Sequence, residues 1–336
     1  MPSQTPDVVL LCEMVDGQEG DAFVLMTAKE SAMTRDKKPY WRVAFRDAQR
    51  EVSFPVWNNS PWAEACRDQW QPGRFFKVRA VYRETSYGPQ LEIGRIREVN
   101  DDDRQQGFDP WMCRPRSRFD SVEMFQQLTA LVEQHVGDAV LRALVLDILI
   151  THREALLTLP AARRNHHAYV GGYLEHVLAV TQTGVWLAER YTEQYPAMDP
   201  PLSRDLVVAG AALHDIGKLR ELNHTPQGAE YSPGGELLGH ILQGRDLVRE
   251  AAAAHDIDAE TLLRLEHVIV AHQRLPEWGS PKPPMTPEAL IVHYADDLDA
   301  KLQMMVAALA ETDAEQAFST PRNPMGRRIF RGLPAE

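Results

Sequence analysis

The sequence predicts a multidomain protein, a small all-β barrel followed by an all-α domain. Three observations carry this expectation. At 336 residues the chain is long enough for two domains of ordinary size. Its apolar residues alternate between Asp7 and Val99 and fall on a helical period from about residue 119 onward. All 12 histidines lie at position 135 or later, so imidazole chemistry belongs to the second part alone. With 44% hydrophobic and 25% charged residues, the composition is that of a globular protein able to bury a core.

In chain order, Val8–Glu13, Phe23–Thr27, Tyr40–Arg46, Glu51–Trp57, Phe76–Arg83 and Leu91–Val99 read as strands, short apolar alternations punctuated by turn residues. Phe76, Val78, Ala80 and Tyr82 share one face while Lys77, Arg79 and Arg83 share the other, as a half-buried strand requires. Pro55 confines its strand to a sheet edge, because proline donates nothing to the ladder. Gly94 marks a candidate bulge. Five or six short strands in residues 1–100 suit an OB-like barrel, a fold that often binds single-stranded nucleic acid through aromatic and basic side chains. Arg35, Lys37, Lys38, Tyr40, Trp41, Arg42, Lys77, Arg79, Tyr82 and Arg83 could form such a surface, although composition alone favours core aromatics and a solvated charged face.

Residues 101–118, opening on Asp101-Asp102-Asp103 and rich in turn formers, read as a linker. An all-helical domain is expected over residues 119–316. Phe125, Leu128 and Val132 recur at i, i+3 and i+7, and Leu141, Leu144, Val145 and Ile148 repeat the stripe. Thr286 followed by Pro287 marks a helix start, with Thr as N-cap and Pro at the first helical position. Residues 317–336 carry Arg322, Arg327, Arg328 and Arg331, which could touch a nucleic-acid backbone; a frayed tail is the stronger expectation.

The formal charge of −12 argues against a broad cationic surface for non-specific duplex binding. That charge is uneven. Residues 8–100 hold 14 Lys and Arg against 13 Asp and Glu, so the acidity belongs to the rest of the chain. Cys12, Cys66 and Cys113 are odd in number and far apart, which supplies neither a disulfide framework nor a cysteine metal site and fits a reducing cytoplasm. The only apolar run near the start, Val8 to Cys12, is short and has no basic segment before it, and nowhere do about 18 apolar residues follow one another. Neither a signal peptide nor a membrane span is expected.

Leu206 to Ile216 is almost wholly apolar, the pattern of a buried helix, yet it ends in His214-Asp215 followed by Gly217 and Lys218. A buried carboxylate beside an imidazole is costly unless it is paired or engaged with a metal. His176 lies 38 residues earlier in another helical stripe, and Asp296, with Asp297 and Asp299 beside it, lies in the apolar Ala289–Leu302. Three helices can therefore bring His, His-Asp and Asp to one point, with Lys218 as a cation for a phosphate oxygen.

His, then His-Asp, then a distant Asp resembles the HD-domain metal-dependent phosphohydrolases. The wider context is more specific: Asn165-His166-His167-Ala168-Tyr169, Gly171-Gly172-Tyr173-Leu174-Glu175-His176, His214-Asp215-Ile216-Gly217-Lys218, Leu238-Gly239-His240, Ala271-His272, Gly279-Ser280-Pro281 and Asp296-Asp297-Leu298-Asp299-Ala300-Lys301. In this order the motifs resemble those of the YhaM-type 3′–5′ exoribonucleases, which also carry an N-terminal OB-fold domain, so the resemblance covers nearly the whole chain. It implies an HD-type helical domain in which His176, His214, Asp215 and Asp296 hold one divalent ion, and His240 and His272 complete a second site with Asp215 bridging. Two close ions would activate a nucleophile for in-line attack on phosphorus and stabilise the leaving oxygen. A mixed His and carboxylate shell suits Mn²⁺, Co²⁺, Fe or Ni rather than Mg²⁺ alone.

Asp215 and Lys218 are the implied catalytic residues. Arg163, Arg164, His167, Lys218 and Lys301, with His166, are candidates for substrate contacts, since a polyanion entering a metal site needs countercharge. Lys218 stands first among them, then His167 and Lys301; each also reads as a surface charge or helix cap. Gln273 departs from the family pattern, since related sequences often carry a second histidine after the equivalent of His272. Glutamine is a poor replacement for imidazole at a transition metal. His293, one turn before Asp296, reads equally as a site residue or a hydrogen-bonded core histidine, and His135, His152, His224, His255 and His267 as structural or exposed.

The function these expectations imply is metal-dependent 3′–5′ hydrolysis of single-stranded RNA, or of single-stranded DNA, to 5′-mononucleotides, with the barrel gripping the strand. An HD phosphohydrolase for small nucleotides, its barrel a regulatory or oligomerisation module, is the alternative. A non-enzymatic nucleic-acid binder with a decayed pocket is a third reading, against which stands the presence of all four primary ligand positions.

Overall fold

The computed structural model describes residues 8–34, 36–85, 88–163 and 165–333. They form two compact units: one runs to Pro115 and includes Thr225–Gly228, and the other comprises Arg116–His224 and the chain from Ala229 onward. Among the described residues no helix is long and apolar enough to cross a membrane.

The first unit contains β1 (Glu19–Met33), β2 (Pro39–Arg46), β3 (Glu51–Trp57), helix α1 (Ala63–Asp68), β4 (Phe75–Thr85) and β5 (Gly88–Glu98). The antiparallel order is β3-β2-β1-β4-β5, with β3 and β5 against each other at the seam. This is the five-stranded, partly open Greek-key barrel of the OB-fold. Alternation decides which side chains fill it: Phe76, Val78, Ala80 and Tyr82 of β4 are all buried. Phe45 lies at the centre, its ring 5.8 Å from Phe54, 6.1 Å from Trp70 and 5.5 Å from Phe76. Pro55 does sit on an edge, since β3 forms its ladder with β2 alone. Gly94 is skipped where Arg79 faces Arg95 and Ala80 faces Ile93, which is the expected bulge.

Three expectations for this unit need correction. Val8–Glu13 is not a strand; Val8 forms a lone bridge to Asp21, and Leu11–Glu13 is a single 3₁₀ turn that drives Leu11 and Met14 into the core. Tyr82 is core rather than binding surface, and the Arg50 guanidinium lies 4.5 Å from its ring. The stretch expected as a linker folds as 3₁₀ turns at Asp101–Gln106 and Pro110–Cys113. There the buried Asp103 accepts two 2.7 Å bonds from Arg97, and Phe108 packs 5.1 Å from Phe23. Asp103 caps its own turn, so the acidic run reads as solvated in sequence while one member offsets its burial with a guanidinium. Arg35 lies outside the described residues.

The second unit contains α2 (Ser121–His135), α3 (Ala139–Thr151), α4 (Arg153–Leu156), α5 (Gly172–Gln194), α6 (Arg204–Leu213), α7 (Lys218–Glu221), the strands β6 (Leu222–Thr225) and β7 (Gly228–Tyr231), α8 (Pro233–Ala252), α9 (Ala259–Ala271) and α10 (Pro287–Ala310). The β6–β7 hairpin, whose turn belongs to the first unit, breaks the expected all-helical pattern. Helix starts follow local chemistry: Asp120, Asp138, Ser203, Asp258 and Thr286 each accept a hydrogen bond from a first-turn amide. In α6 every residue from Leu206 to Leu213 is buried, with α2, α3, α5, α9 and α10 packed around it. The predicted stripes on α2 and α3 face this core. The tail is not frayed: Ser319 N donates to Ile329 O, Arg331 N donates to Ala317 O, and Asn323 Nδ2 donates to the Thr320 and Arg327 carbonyls, which close residues 317–331 into a loop.

Candidate metal centre

Five helices bring their chemistry to one point. His176 projects from α5, His214 and Asp215 follow the end of α6, His240 follows a break in α8, His272 caps α9, and Asp296 lies on α10. The break in α8 is Gly239, with φ 70° and ψ 170°. Gly217, beside the His-Asp pair, is there for space: a Cβ at this position would stand 1.9 Å from the His240 carbonyl oxygen. Only glycine lets the His214–Lys218 turn lie against α8.

The donor atoms fall into two sets that share Asp215. His176 Nε2 lies 3.3 Å from His214 Nε2, 3.6 Å from Asp215 Oδ2 and 3.2 Å from Asp296 Oδ1, while His214 Nε2 lies 3.6 Å from Asp215 Oδ2 and 3.9 Å from Asp296 Oδ1. On the other carboxylate oxygen, Asp215 Oδ1 lies 3.3 Å from His240 Nε2 and 3.6 Å from His272 Nε2. Donors around one ion at bond lengths of about 2.1 Å stand about 3.0–3.4 Å apart, close to both sets. Asp215 Oδ1 and His272 Nε2 are buried and make no hydrogen bond, which a cation between them would remedy.

The four imidazoles are oriented alike. His176 Nδ1 meets Asp299 Oδ2 at 2.7 Å, His240 Nδ1 meets Glu221 Oε1 at 2.9 Å, and His214 Nδ1 and His272 Nδ1 meet the carbonyls of Ala211 and Ile269 at 2.8 and 2.7 Å. An Nδ1–H donated to oxygen leaves Nε2 as the free acceptor, and every Nε2 is turned inward. His214 and His272 use the unpaired carbonyls at their own helix ends.

Charge balance points the same way. Asp215, Asp296, Asp299 and Glu221 converge with Lys218, whose Nζ lies 2.5 Å from Asp215 Oδ2. Burial raises the cost of the Asp215 carboxylate, but Lys218 and the surrounding imidazoles still hold it well below the ordinary range. Burial pushes His272 down to about 3. It would depress His176 too, yet the Asp296 and Asp299 carboxylates more than offset it and carry that group up to about 9. Carboxylates strong enough to offset the burial of an imidazole mark a place that favours positive charge.

A cavity of about 710 Å³ opens onto the cluster, and Asp215, Lys218, His240 and Asp296 line it. Among the predicted substrate contacts, Arg163, Lys218 and Lys301 lie on its wall, as do His166, Gln273 and His293. His167 does not. Its backbone takes φ 47°, its ring stands edge-on to that of His166 with centroids 6.2 Å apart, and its Nε2 meets Asp299 Oδ2 at 3.1 Å beside a second, smaller cavity. Arg164 lies outside the described residues. His293 both lines the cavity and hydrogen-bonds, its Nδ1 meeting the His272 carbonyl at 2.7 Å. The Gln273 amide approaches His240 Nε2 to 3.3 Å, so it borders the second set of donors. Sequence reasoning gave no role to Glu221 and named Asp299 only as a neighbour of Asp296; helical spacing, three residues on, was the available signal for Asp299.

Residues 173–301 match the HD domain family. HD domains are metal-dependent phosphohydrolases, and the matched segment contains His176, His214, Asp215, His240, His272 and Asp296. For the first unit, the similar solved structures include a domain of replication protein A from Methanococcus maripaludis, at 12% identity and a TM-score of 0.23, covering 28% of this chain and 96% of that one. They also include Schizosaccharomyces pombe Pot1pC bound to ssDNA, at 9% identity and a TM-score of 0.24, covering 30% and 92%.

The barrel has a charged groove of its own. Asp21, Trp62, Lys77, Arg79, Arg95, Ile96 and Arg97 line about 440 Å³. Arg79 stands opposite Arg95, and Lys77 opposite Arg97, across the β4–β5 ladder. Asp21 accepts from Arg79 at 2.7 Å and pairs with Lys77 at 3.6 Å.

Proposed function

We propose that this protein is a metal-dependent 3′–5′ exoribonuclease that hydrolyses single-stranded RNA to 5′-mononucleotides in a reducing cytoplasm. The barrel unit binds the strand and the helical unit hydrolyses it. The observation that carries this reading is the buried Asp215 carboxylate, shared by two sets of inward-facing Nε2 atoms at the floor of a cavity with a cationic wall.

His176, His214, Asp215 and Asp296 would hold one divalent ion and Asp215, His240 and His272 a second; Mn²⁺, Co²⁺ or Fe suits these donors better than Mg²⁺, and such ions supply a nucleophile at neutral pH and charge for phosphoryl oxygens. Asp299 and Glu221 fix the tautomers of His176 and His240. Lys218 neutralises Asp215 in the resting site and can turn to a substrate oxygen. Arg163 and Lys301 on the wall position the phosphodiester. Arg95 extends that role to the barrel: Asp103 engages Arg97 and Asp21 engages Arg79 and Lys77, whereas Arg95, opposite Arg79 in the ladder, is exposed in the groove, where a phosphate backbone would supply the countercharge.

The test is to incubate Mn²⁺-loaded protein with 5′-labelled single-stranded RNA, beside Asp215→Ala. The expected product is a ladder shortening from the 3′ end, absent with the variant. Intact RNA together with turnover of free nucleotides would replace this reading with that of a small-nucleotide phosphohydrolase.

A further inference from the structure

We infer that Trp278 is a base-stacking platform at the mouth of the metal centre, which selects a phosphate ester carrying a nucleobase without regard to which base it is. The inference rests on the hydrolase reading above and specifies its substrate. Trp278 ends a 3₁₀ turn, Pro276–Trp278, a few residues beyond His272. The turn is held at both ends: Trp278 N donates to Leu275 O at 3.0 Å, Ser280 N donates to the same carbonyl at 3.2 Å, and Gln273 N donates to the buried Ser280 Oγ at 3.1 Å. Gly279, at φ 104°, makes the reversal that only glycine adopts without strain. The backbone that carries the indole is thereby tied to the residue next to His272.

Despite that anchorage the side chain is 48% exposed, and it lines the cavity that contains Asp215. Exposure alone assigns no role, since Trp186 is 63% exposed; what sets Trp278 apart is that it lines the cavity with a cation over its ring. Lys301 Nζ lies 5.4 Å from the indole centroid and is held there by Asp297 at 2.6 Å. The same wall repeats the arrangement with Tyr231, 39% exposed, under the Arg163 guanidinium at 5.6 Å. A ring paired with a cation beside a phosphate-hydrolysing centre matches the two halves of a nucleotide, the flat base and the anionic ester. Stacking is indifferent to base identity because every base presents a π-face.

Two measurements on Trp278→Phe and Trp278→Leu decide this. In the first, AMP is titrated into the protein and indole fluorescence is followed. Wild type should be quenched and Trp278→Phe should lose that component, whereas no quenching in wild type, or equal quenching in the variant, overturns the inference. In the second, KM is compared for RNA ending in a normal or an abasic 3′ nucleotide. Loss of the base should raise KM about tenfold in wild type and leave it unmoved in Trp278→Leu; an equal penalty in both proteins overturns the inference. Should wild type trim neither RNA, the exoribonuclease reading falls and the fluorescence titration alone decides the stacking role.

Discussion

Asp299 and Glu221 fix the orientation of two imidazoles at the candidate centre. Each accepts the Nδ1 proton of a histidine whose Nε2 faces Asp215, so each chooses a tautomer without touching the shared carboxylate. Asp299→Ala should therefore weaken Mn²⁺ binding about 10–100-fold, with Asp299→Asn recovering part of the loss because its amide oxygen still accepts from His176. Isothermal titration with Mn²⁺ reads this directly, and equal affinities would remove Asp299 from the account. The His214-Asp215 pair stood out in the sequence because a buried helix ending in these residues needs compensation. His166 and His167 were harder, since adjacent residues separate only when the turn is known, and the positive φ of His167 is a fact of the fold. Glu221 was illegible for a related reason: it lies 19 residues from His240, and only the hairpin and the Gly239 break bring them together.

At the level of elements, the centre depends on how closely the turn after α6 approaches α8. A Cβ on Gly217 would meet the Gly244 amide nitrogen at 2.5 Å as well as the His240 carbonyl, both backbone atoms that no rotamer change can move. Gly217→Ala should cost about 1–3 kcal/mol in urea unfolding and lower metal content, because it pushes His240 away from Asp215. An unaltered midpoint with full metal content would contradict this packing. Strands and helices with clear periodicity were readable from the chain. Val8–Glu13 misled because five apolar residues in a row fit a strand or a core-facing turn equally. The acidic run after Asn100 misled because composition cannot show that Asp103 pairs with Arg97. The 317–331 loop was missed because its closure rests on backbone bonds and on Asn323, which carry no periodic signal.

Across the whole molecule charge is uneven: residues 8–100 are nearly balanced and carry a groove lined by Lys77, Arg79, Arg95 and Arg97, while the net negative charge lies in the rest of the chain. The division into two units was foreshadowed by the change of hydrophobic period and the confinement of histidine to the second. Arg95 is exposed in the groove. Arg95→Ala should weaken single-stranded RNA binding and reduce the slope of log K against log salt by about 0.7, as loss of one phosphate contact requires. An unaltered slope would place the strand elsewhere. The central claim, that one buried carboxylate unites two cation sites, is tested most directly by metal analysis of gel-filtered protein reconstituted with Mn²⁺. The account predicts about two ions per chain in wild type, fewer in His176→Ala and in His240→Ala, and none in Asp215→Ala; a folded Asp215→Ala that keeps both ions would contradict it.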